Sequence, residues 1–237
     1  MLGCSLMDKP TQSTHSRTVR SFVTRAGRLT VAQERALVEL WPKFGVDFES
    51  RPADLDALFG RRALRIMEIG FGNGDHLAAL AHAHPECDYL GVEVHRPGVG
   101  HLLLAIERHE LTNLRIVCHD AVEVLEQQIP LRSLDEVIIL FPDPWPKKRH
   151  HKRRLIQAPF VALLVERLKT GGLLRLATDW QAYAEQMLEV LDAAPRLQNL
   201  AAPERFMPRS AQRAQTRFEL RGKRLGHAVW DLAYRVR

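Results

Sequence analysis

Gly70, Gly72 and Gly74 stand at every second position directly after the apolar segment 64–69. An apolar run that leads through glycines into a helix is typical of a βαβ unit. Glycines at such a turn let a ligand approach the backbone, whose amides meet polar groups at the helix N-terminus. This part of the sequence therefore predicts a buried strand, a ligand-binding turn and a helix over residues 75–83.

The alternation of strands and helices continues along the chain. Apolar segments of strand length are separated by amphipathic segments of helix length. The predicted strands are 64–69, 89–94, 114–118, 135–141, 173–177 and 229–236, and the predicted helices are 30–40, 75–83, 96–109, 121–128, 155–169 and 180–191. We interpret residues 45–60 as a linker. The pattern predicts an α/β fold with a doubly wound, mostly parallel sheet.

Length and composition indicate one large domain. The 237 residues include a polar, Ser- and Thr-rich start, so we interpret 1–20 as a disordered lead-in and 21–237 as a single domain with an N-terminal helical extension. No apolar run approaches the roughly 18 residues of a membrane span, and no secretory signal is evident. Three cysteines and eleven scattered histidines lack metal-ligand spacing, which predicts a cytoplasmic protein without a metal site.

A stiff acidic turn precedes a dense run of cations. Residues 141–146 read Phe-Pro-Asp-Pro-Trp-Pro, and residues 147–154 read Lys-Lys-Arg-His-His-Lys-Arg-Arg. Prolines fix φ and remove amide donors, so we expect Asp143 to be held rigidly at the carboxyl end of a strand. With a net charge of +6, the clustered cations favour a polyanionic partner. The alternative is a solvated charged turn, which is the usual role of a charge run.

Carboxylates mark the ends of four successive predicted strands. Glu68, Glu93, Asp120 and Asp143 occupy these places, and parallel strands bring their carboxyl ends to one edge of the sheet. We expect the four acids in one crevice, beside the switch between the first and fourth predicted strands. Glu93 or Asp120 alone would more often be a solvated acid at a strand end, but four acids in succession, together with the glycine turn, favour a shared ligand.

The glycine spacing and the acids indicate which ligand this crevice binds. A dinucleotide-binding turn requires a glycine where this sequence has Asp75, which disfavours a Rossmann oxidoreductase. Acidic residues would repel a phosphate, whereas they suit the sulfonium and ammonium groups of S-adenosylmethionine. We therefore predict this cofactor, with Glu93 placed for the ribose hydroxyls and Asp120 for the adenine amino group.

At these residues the chain resembles the bacterial tRNA (guanine-N7-)-methyltransferases, the TrmB family of class I methyltransferases. The run Pro-Asp-Pro-Trp-Pro-Lys-Lys-Arg-His-His-Lys-Arg-Arg is specific to that family, whereas the glycine motif is shared by many methyltransferases. The similarity runs from about residue 20 to residue 235 and includes segments 20–23, 25–30, 68–72, 91–95, 97–100, 118–123, 141–154, 177–180, 216–219 and 224–230.

The resemblance implies a Rossmann-like class I methyltransferase fold with seven strands, the last of them antiparallel. It also implies methyl transfer from S-adenosylmethionine to N7 of guanine at position 46, in the variable loop of tRNA. The expected partner is tRNA, with no membrane, no obligate protein partner, and a monomeric or homodimeric state. A non-catalytic RNA-binding protein on the same fold is the alternative, which an intact set of acids disfavours.

The resemblance also assigns roles to individual residues. It implies cofactor contacts at Glu68, Glu93, Asp120 and Asp143, to which the turn itself adds Gly70, Gly72 and Gly74; Asp143 is also the implied catalytic residue. The implied substrate contacts are Lys147, Asp179, Thr216, Arg217, Phe218 and Glu219, and the implied RNA contacts are Arg149, His150, His151, Lys152, Arg153 and Arg154. Arg217 stands where some members have Lys, which keeps the charge.

The expected chemistry requires positioning more than proton transfer. Guanine N7 has a lone pair and no proton at neutral pH, so well-oriented reactants supply much of the rate, up to about 7–11 kcal/mol. Asp143 is expected to anchor the N–H edge of the guanine and to offset the positive charge that grows on its ring. Asp179 either shares that edge or caps the next helix. Trp145 either stacks on a base or packs against the prolines.

Overall fold

The computed structural model describes residues 27–208, 219 and 228–237. The strands are β1 Gly45–Val46, β2 Arg65–Ile69, β3 Asp88–Val92, β4 Leu114–Val117, β5 Leu134–Leu140, β6 Leu168–Thr178, β7 Leu197–Asn199 and β8 Trp230–Val236. The helices are α1 Val31–Glu39, α2 Trp41–Phe44, α3 Leu55–Phe59, α4 Asp75–Ala83, α5 Arg96–Arg108, α6 Ala121–Glu123, α7 Ala158–Arg167 and α8 Gln181–Asp192, with a π-helical turn at Val124–Gln128 and a 3₁₀ helix at Lys148–Arg153. No helix in this part of the chain combines the length and apolar character that crossing a membrane requires.

Within the described residues, the sheet has eight strands in the order β1-β4-β3-β2-β5-β6-β8-β7. Its pairs are parallel except those of β8, which runs antiparallel to β6 and β7. The doubly wound α/β fold and the antiparallel last strand are confirmed, but the expected number of seven strands is wrong. The sequence pattern predicts six of these eight strands and misses β1 and β7, which have only two and three residues and are too short to show any periodicity.

The segment interpreted as a linker, residues 45–60, is partly regular structure. Besides β1 it forms α3, which Asp54 caps by accepting a hydrogen bond from the amide of Ala57 at 3.0 Å. Gly60 ends the helix in the left-handed conformation, with φ of +70°. The linker interpretation is therefore wrong, because a five-residue helix shows too few turns to give a hydrophobic pattern.

Two apolar layers enclose the central strands. Met67 and Ile69 of β2 belong to the layer formed with α7 and α8, whereas Ile66 belongs to the layer formed with α1, α4 and α5. This alternation follows from the two-residue period of a strand. Because both faces of the central sheet are covered by helices, a ligand reaches these strands at their ends.

The crevice expected at the strand switch is confirmed. The chain passes from β2 to β3 and β4 on one side, while β5 and β6 lie on the other side of β2. The connections at the carboxyl ends of β2 and β5 therefore diverge and leave a cleft between them. The glycine turn, residues 70–74, follows β2, and the proline turn, residues 141–146, follows β5.

The region from residue 155 to residue 178 differs from expectation in two ways. Helix α7 begins at Ala158 rather than at residue 155, because Pro159 is accommodated in its first turn. Gly171 and Gly172 do not precede a strand but lie inside β6. The register changes from Leu134 opposite Leu168 to Glu136 opposite Leu173, so the two glycines form a β-bulge. In the sequence alone, such a glycine pair resembles a break before a strand.

Candidate cofactor and substrate site

A cavity of about 580 Å³ lies at the carboxyl ends of β2, β3 and β5. It is lined by the backbone of Gly70 and Gly72 and by the acidic residues Glu93, Asp120 and Asp143. Its volume is in the range of about 300–1,000 Å³ that is usual for small-molecule sites. None of the described residues that line it is Lys or Arg. We call it the site cavity; its acidic lining suits a cationic ligand.

The glycines of this turn have two separate structural roles. Gly70 and Gly72 have φ of +72° and +60°, a conformation that favours glycine. A Cβ built on Gly70 would meet nothing within 4 Å, so open space adjoins the backbone there. Gly74 instead packs inward, since a Cβ on it would lie 2.7 Å from Cδ1 of Leu102. The first two glycines line the site cavity and the third fits α4 against α5.

Glu93 connects the glycine turn to the end of β3. The amide of Gly72 donates to Oε2 of Glu93 at 2.9 Å. Oε1 of the same carboxylate accepts from the amides of Val94 and His95, at 2.7 and 3.0 Å. Three charge-assisted hydrogen bonds of this kind fix a carboxylate firmly, so Glu93 has a defined orientation at the wall of the site cavity.

Asp120 and an aromatic pair form another part of this wall. Oδ1 of Asp120 accepts from the amide of Val122 at 2.9 Å and so caps α6. The neighbouring His119 lines the site cavity, and its ring stacks on Phe48 with centroids 3.9 Å apart and planes 9° apart. Sequence reasoning missed both aromatic residues, since Phe48 lies in the supposed linker and no spacing connects it with His119.

Glu68 is the one acid of the four that does not line the site cavity. Its side chain is buried, and its Oε2 lies 2.9 Å from Nδ1 of His76 on α4. On β2 it points to the same face as Ile66, two residues away, and therefore towards α4. Glu68 lies beneath the glycine turn, in contact with the helix that this turn begins.

The proline turn has an unusual backbone that holds Asp143 at the cavity. Phe141 and Trp145 both have left-handed φ, of +52° and +44°, although neither is glycine. Such conformations cost about 1–3 kcal/mol each and persist only where surrounding contacts impose them. Asp143 lies between these two residues, exposed to solvent and lining the site cavity.

Trp145 joins the proline turn to the basic run, residues 147–154. Its ring meets the edge of His150 at 5.8 Å, and the guanidinium of Arg153 lies over it at 5.0 Å from the centroid. These contacts with His150 and Arg153 are packing within the protein, and stacking of Trp145 on a base stays a prediction. Lys147, Lys148, Arg149 and Lys152 are exposed. The basic run therefore presents a cationic surface beside the site cavity.

Arg154 differs from the rest of the basic run. Only 3% of its surface is exposed, and its Nε donates to the carbonyl oxygen of Pro144 at 2.9 Å. Burial also lowers the pKa of its guanidinium. The expectation that Arg154 contacts RNA is wrong for this structure, because a buried guanidinium bonded to the protein cannot reach a phosphate.

The remaining predicted substrate residues lie at or beyond the end of β6. Asp179 follows β6 directly and is not among the residues that line the site cavity. Trp180 occupies the N-cap position of α8, and its amide donates to Oγ1 of Thr178 at 3.3 Å, while the role of Asp179 stays a prediction. Glu219 is fully buried. The other predicted contacts, residues 216–218, lie outside the described residues.

Known proteins are similar in sequence to this chain along most of its length. A family model described as "Putative methyltransferase" matches residues 62–232. A tRNA (guanine-N(7)-)-methyltransferase of Alkalilimnicola ehrlichii is 57% identical over 227 residues, which cover 95% of each chain. The chain belongs to this methyltransferase family. Members with the same description from Neisseria meningitidis serogroup A and Halorhodospira halophila are 55% and 58% identical, covering 94% and 93% of this chain and 93% and 96% of theirs.

Solved structures agree on the fold of this family member. A structure described as an antibiotic-related methyltransferase has a TM-score of 0.55 at 17% identity, covering 81% of this chain and 96% of its own. The 16S rRNA methyltransferase KamB also gives a TM-score of 0.55, at 14% identity, covering 76% of this chain and 93% of its own. At such low identity these similarities establish the methyltransferase fold alone.

Proposed function

We propose that this protein transfers a methyl group from S-adenosylmethionine to N7 of guanine at position 46, in the variable loop of tRNA. The observation that supports this best is an acidic cavity without Lys or Arg in its described lining, directly beside an exposed cationic surface. The cavity matches a cationic cofactor and the surface matches a polyanion. The activity named for the close relatives agrees with both.

The cofactor proposed for the site cavity is S-adenosylmethionine, whose sulfonium supplies an activated methyl group. Gly70 leaves open space against the backbone, Gly72 lines the cavity beside it, and Glu93 and Asp120 offer carboxylate oxygens to hydroxyl and amino groups. Glu68 and Gly74, which do not line the site cavity, support the glycine turn from beneath. We therefore propose direct cofactor contacts at Gly70, Gly72, Glu93, Asp120 and Asp143, and a supporting role for Glu68 and Gly74.

Methyl transfer to N7 is a single displacement that requires no proton transfer by the protein. The N7 lone pair forms the new N–C bond while the C–S bond breaks, its electron pair stays on sulfur, and no proton leaves the base. The products are 7-methylguanosine and S-adenosylhomocysteine. Asp143 is proposed to hold the guanine by its N–H edge and to stabilise the positive charge that develops on the ring. Asp179, Lys147 and residues 216–219 are proposed as further substrate contacts.

The basic run is proposed to bind the tRNA backbone. Lys148, Arg149 and Lys152 are exposed, while Arg153 is held on Trp145 at the rim of the site cavity. Cations in such an arrangement place phosphates beside a cavity without reading sequence. A tRNA substrate also supports a cytoplasmic location for the protein. We further propose that the protein acts as a monomer or homodimer.

The proposed reaction is tested with tRNA transcribed without modifications. We expect protein and methyl-labelled S-adenosylmethionine to yield one 7-methylguanosine, which mass spectrometry of nuclease fragments places at position 46. A transcript with adenosine at that position is the matched control and should stay unlabelled. Label at another base contradicts the proposed position, and tRNA binding without any methyl transfer supports the non-catalytic alternative.

The affinity for tRNA is expected to increase when the pH falls below the usual histidine range, near about 6.5. Loss of hydration, together with the neighbouring cations Arg149 and Arg153, holds the pKa of His150 below its ordinary value. His150 is therefore neutral at pH 7 and adds a charge to the surface only at lower pH. Fluorescence titration of tRNA across this range measures the effect, and His150→Gln should reduce it. An unchanged pH dependence in this variant contradicts the expectation.

A further inference from the structure

Arg154 is the last residue of the basic run and the one that points into the protein. Its Nε donates to the carbonyl of Pro144 at 2.9 Å, and its Nη1 donates to Oε1 of Gln186 at 2.6 Å and to the carbonyl of Ala182 at 3.3 Å. The guanidinium also lies 4.8 Å from the ring centroid of Tyr183. One guanidinium thus bonds to the proline turn and to α8 at the same time.

We propose that Arg154 is a positioning residue: it fixes the proline turn, and with it Asp143, against α8, and it does not contact RNA. The proposal rests on the proposed function, since its consequence appears in the rate of methyl transfer. Pro144 directly follows Asp143 in the chain, so a bond to the Pro144 carbonyl restricts where Asp143 lies relative to the site cavity.

The proline turn requires such an anchor. Phe141 and Trp145, at its two ends, have left-handed backbones that tertiary contacts must impose. Phe141 is held on one side by its amide, which donates to the carbonyl of Ala177 on β6 at 2.7 Å. Arg154 supplies the corresponding bond near the other end, at Pro144. Asp143 is therefore fixed between two anchored points.

Helix α8 is itself bonded to the chain that contains Arg154. The amide of Ile156 donates to the hydroxyl of Tyr183 at 3.1 Å, and Nε2 of Gln186 donates to the carbonyl of Ile156 at 3.1 Å. Tyr183 is fully buried. Since Gln186 also accepts from Arg154, it connects residues 154 and 156 to the same turn of α8, and the anchor is rigid on its helix side.

Stability alone does not explain an arginine at this place. Burying a guanidinium costs solvation free energy that an apolar side chain of similar size avoids. Nη2 of Arg154 is buried without a hydrogen-bond partner in the described part of the protein, which adds to that cost. What arginine uniquely provides is a planar fork whose Nε and Nη1 point in fixed and different directions.

Substitution of Arg154 by lysine distinguishes a positioning role, which requires the planar fork, from RNA binding, which requires the charge. Lysine keeps the charge that a phosphate contact requires, but it cannot bond to Pro144 and Gln186 in the same geometry. We therefore expect Arg154→Lys to be as defective as Arg154→Met. At the exposed Lys152 we expect the opposite series for tRNA affinity: Lys152→Arg should keep the affinity and Lys152→Met should lower it.

Two measurements separate these outcomes. In single-turnover methyl transfer at saturating tRNA, both Arg154 variants should be about 10–100-fold slower, the effect of a small misplacement of a reacting group. Their tRNA affinity and its salt dependence should stay as in wild type. Lys152→Met should weaken tRNA binding and lower the slope of log affinity against log salt by about one. A wild-type rate in Arg154→Lys, or a lowered salt slope in Arg154→Met, overturns the proposal.

Gln186→Met tests the same anchor from α8 without altering the basic run. We expect a slower saturating rate with unchanged tRNA affinity, and no further loss when it is combined with Arg154→Met. A double-mutant cycle on the free energy of unfolding measures the Arg154–Gln186 contact independently of activity, and additive effects contradict the contact.

If wild-type protein transfers no methyl group to tRNA, the proposed function fails. If wild type is active and the Arg154 and Gln186 variants are equally active, only the positioning role fails.

Discussion

Asp143→Asn is expected to slow single-turnover methyl transfer by about 10²–10³-fold, the usual effect of removing one group that stabilises charge in a transition state. The amide keeps the size and shape of the side chain, so the proline turn and the site cavity should stay intact. It loses the negative charge that opposes the cationic charge growing on the guanine ring. Rapid-quench measurement at saturating tRNA and cofactor isolates this step.

The affinity of this variant for tRNA is expected to be unchanged or slightly higher, because a negative charge beside a polyanion has been removed. Glu126→Gln is the matched control: Glu126 is an exposed carboxylate on the π-helical turn and does not line the site cavity. It should react at the wild-type rate. Wild-type turnover in Asp143→Asn, with the control also unaffected, would remove Asp143 from the catalytic role.

Gly98→Ala is expected to lower the affinity for S-adenosylhomocysteine by about 10–100-fold, as calorimetry would measure. Gly98 lies in the first turn of α5 against the glycine turn. A Cβ at this position would lie 2.0 Å from the carbonyl oxygen of Gly72 and 3.0 Å from its carbonyl carbon. Backbone atoms cannot rotate away as a side chain can, so the glycine turn itself must move.

Movement of Gly72 also disturbs a hydrogen bond, because its amide donates to Glu93 at the wall of the site cavity. Gly100→Ala, in the same helix, provides a matched control. There the added Cβ would lie 2.8 Å from Cβ of Gln33 on α1, away from the glycine turn. We expect both variants to unfold at lower temperature and only Gly98→Ala to bind the cofactor product weakly. Equal binding losses in the two variants would attribute the effect to general destabilisation.

Much of the fold could be predicted because it depends on local patterns. The strand at Arg65–Ile69, the glycine turn and the helix Asp75–Ala83 follow from an apolar run, glycines and a helical period within about twenty residues. Thr30 and Gln33, three residues apart in the sequence, form a capping box at the start of α1. The two-residue strand β1 could not be predicted, since only its pairing with β4 makes it a strand.

The candidate site was predicted in part. Glu93, Asp120 and Asp143 follow three parallel strands of one sheet, so their carboxyl ends lie at the same edge and bring the three acids to one cavity. The stacking of His119 on Phe48 and the contact of Glu68 with His76 were not predictable. In both pairs the two side chains come from different segments of the chain, and no spacing in the sequence encodes their distance.

The sequence by itself determined the alternation of strands and helices, the acidic character of the cofactor crevice and the position of the basic run beside it. These depend on residue type and on the rule that parallel strands align their carboxyl ends. Only the tertiary structure decided which members of each set face the ligand. Arg154 and its neighbours have the same charge in the sequence, but α8 and the Pro144 carbonyl lie on one side of the chain and bury this one guanidinium. A direction of this kind is set by packing between distant segments.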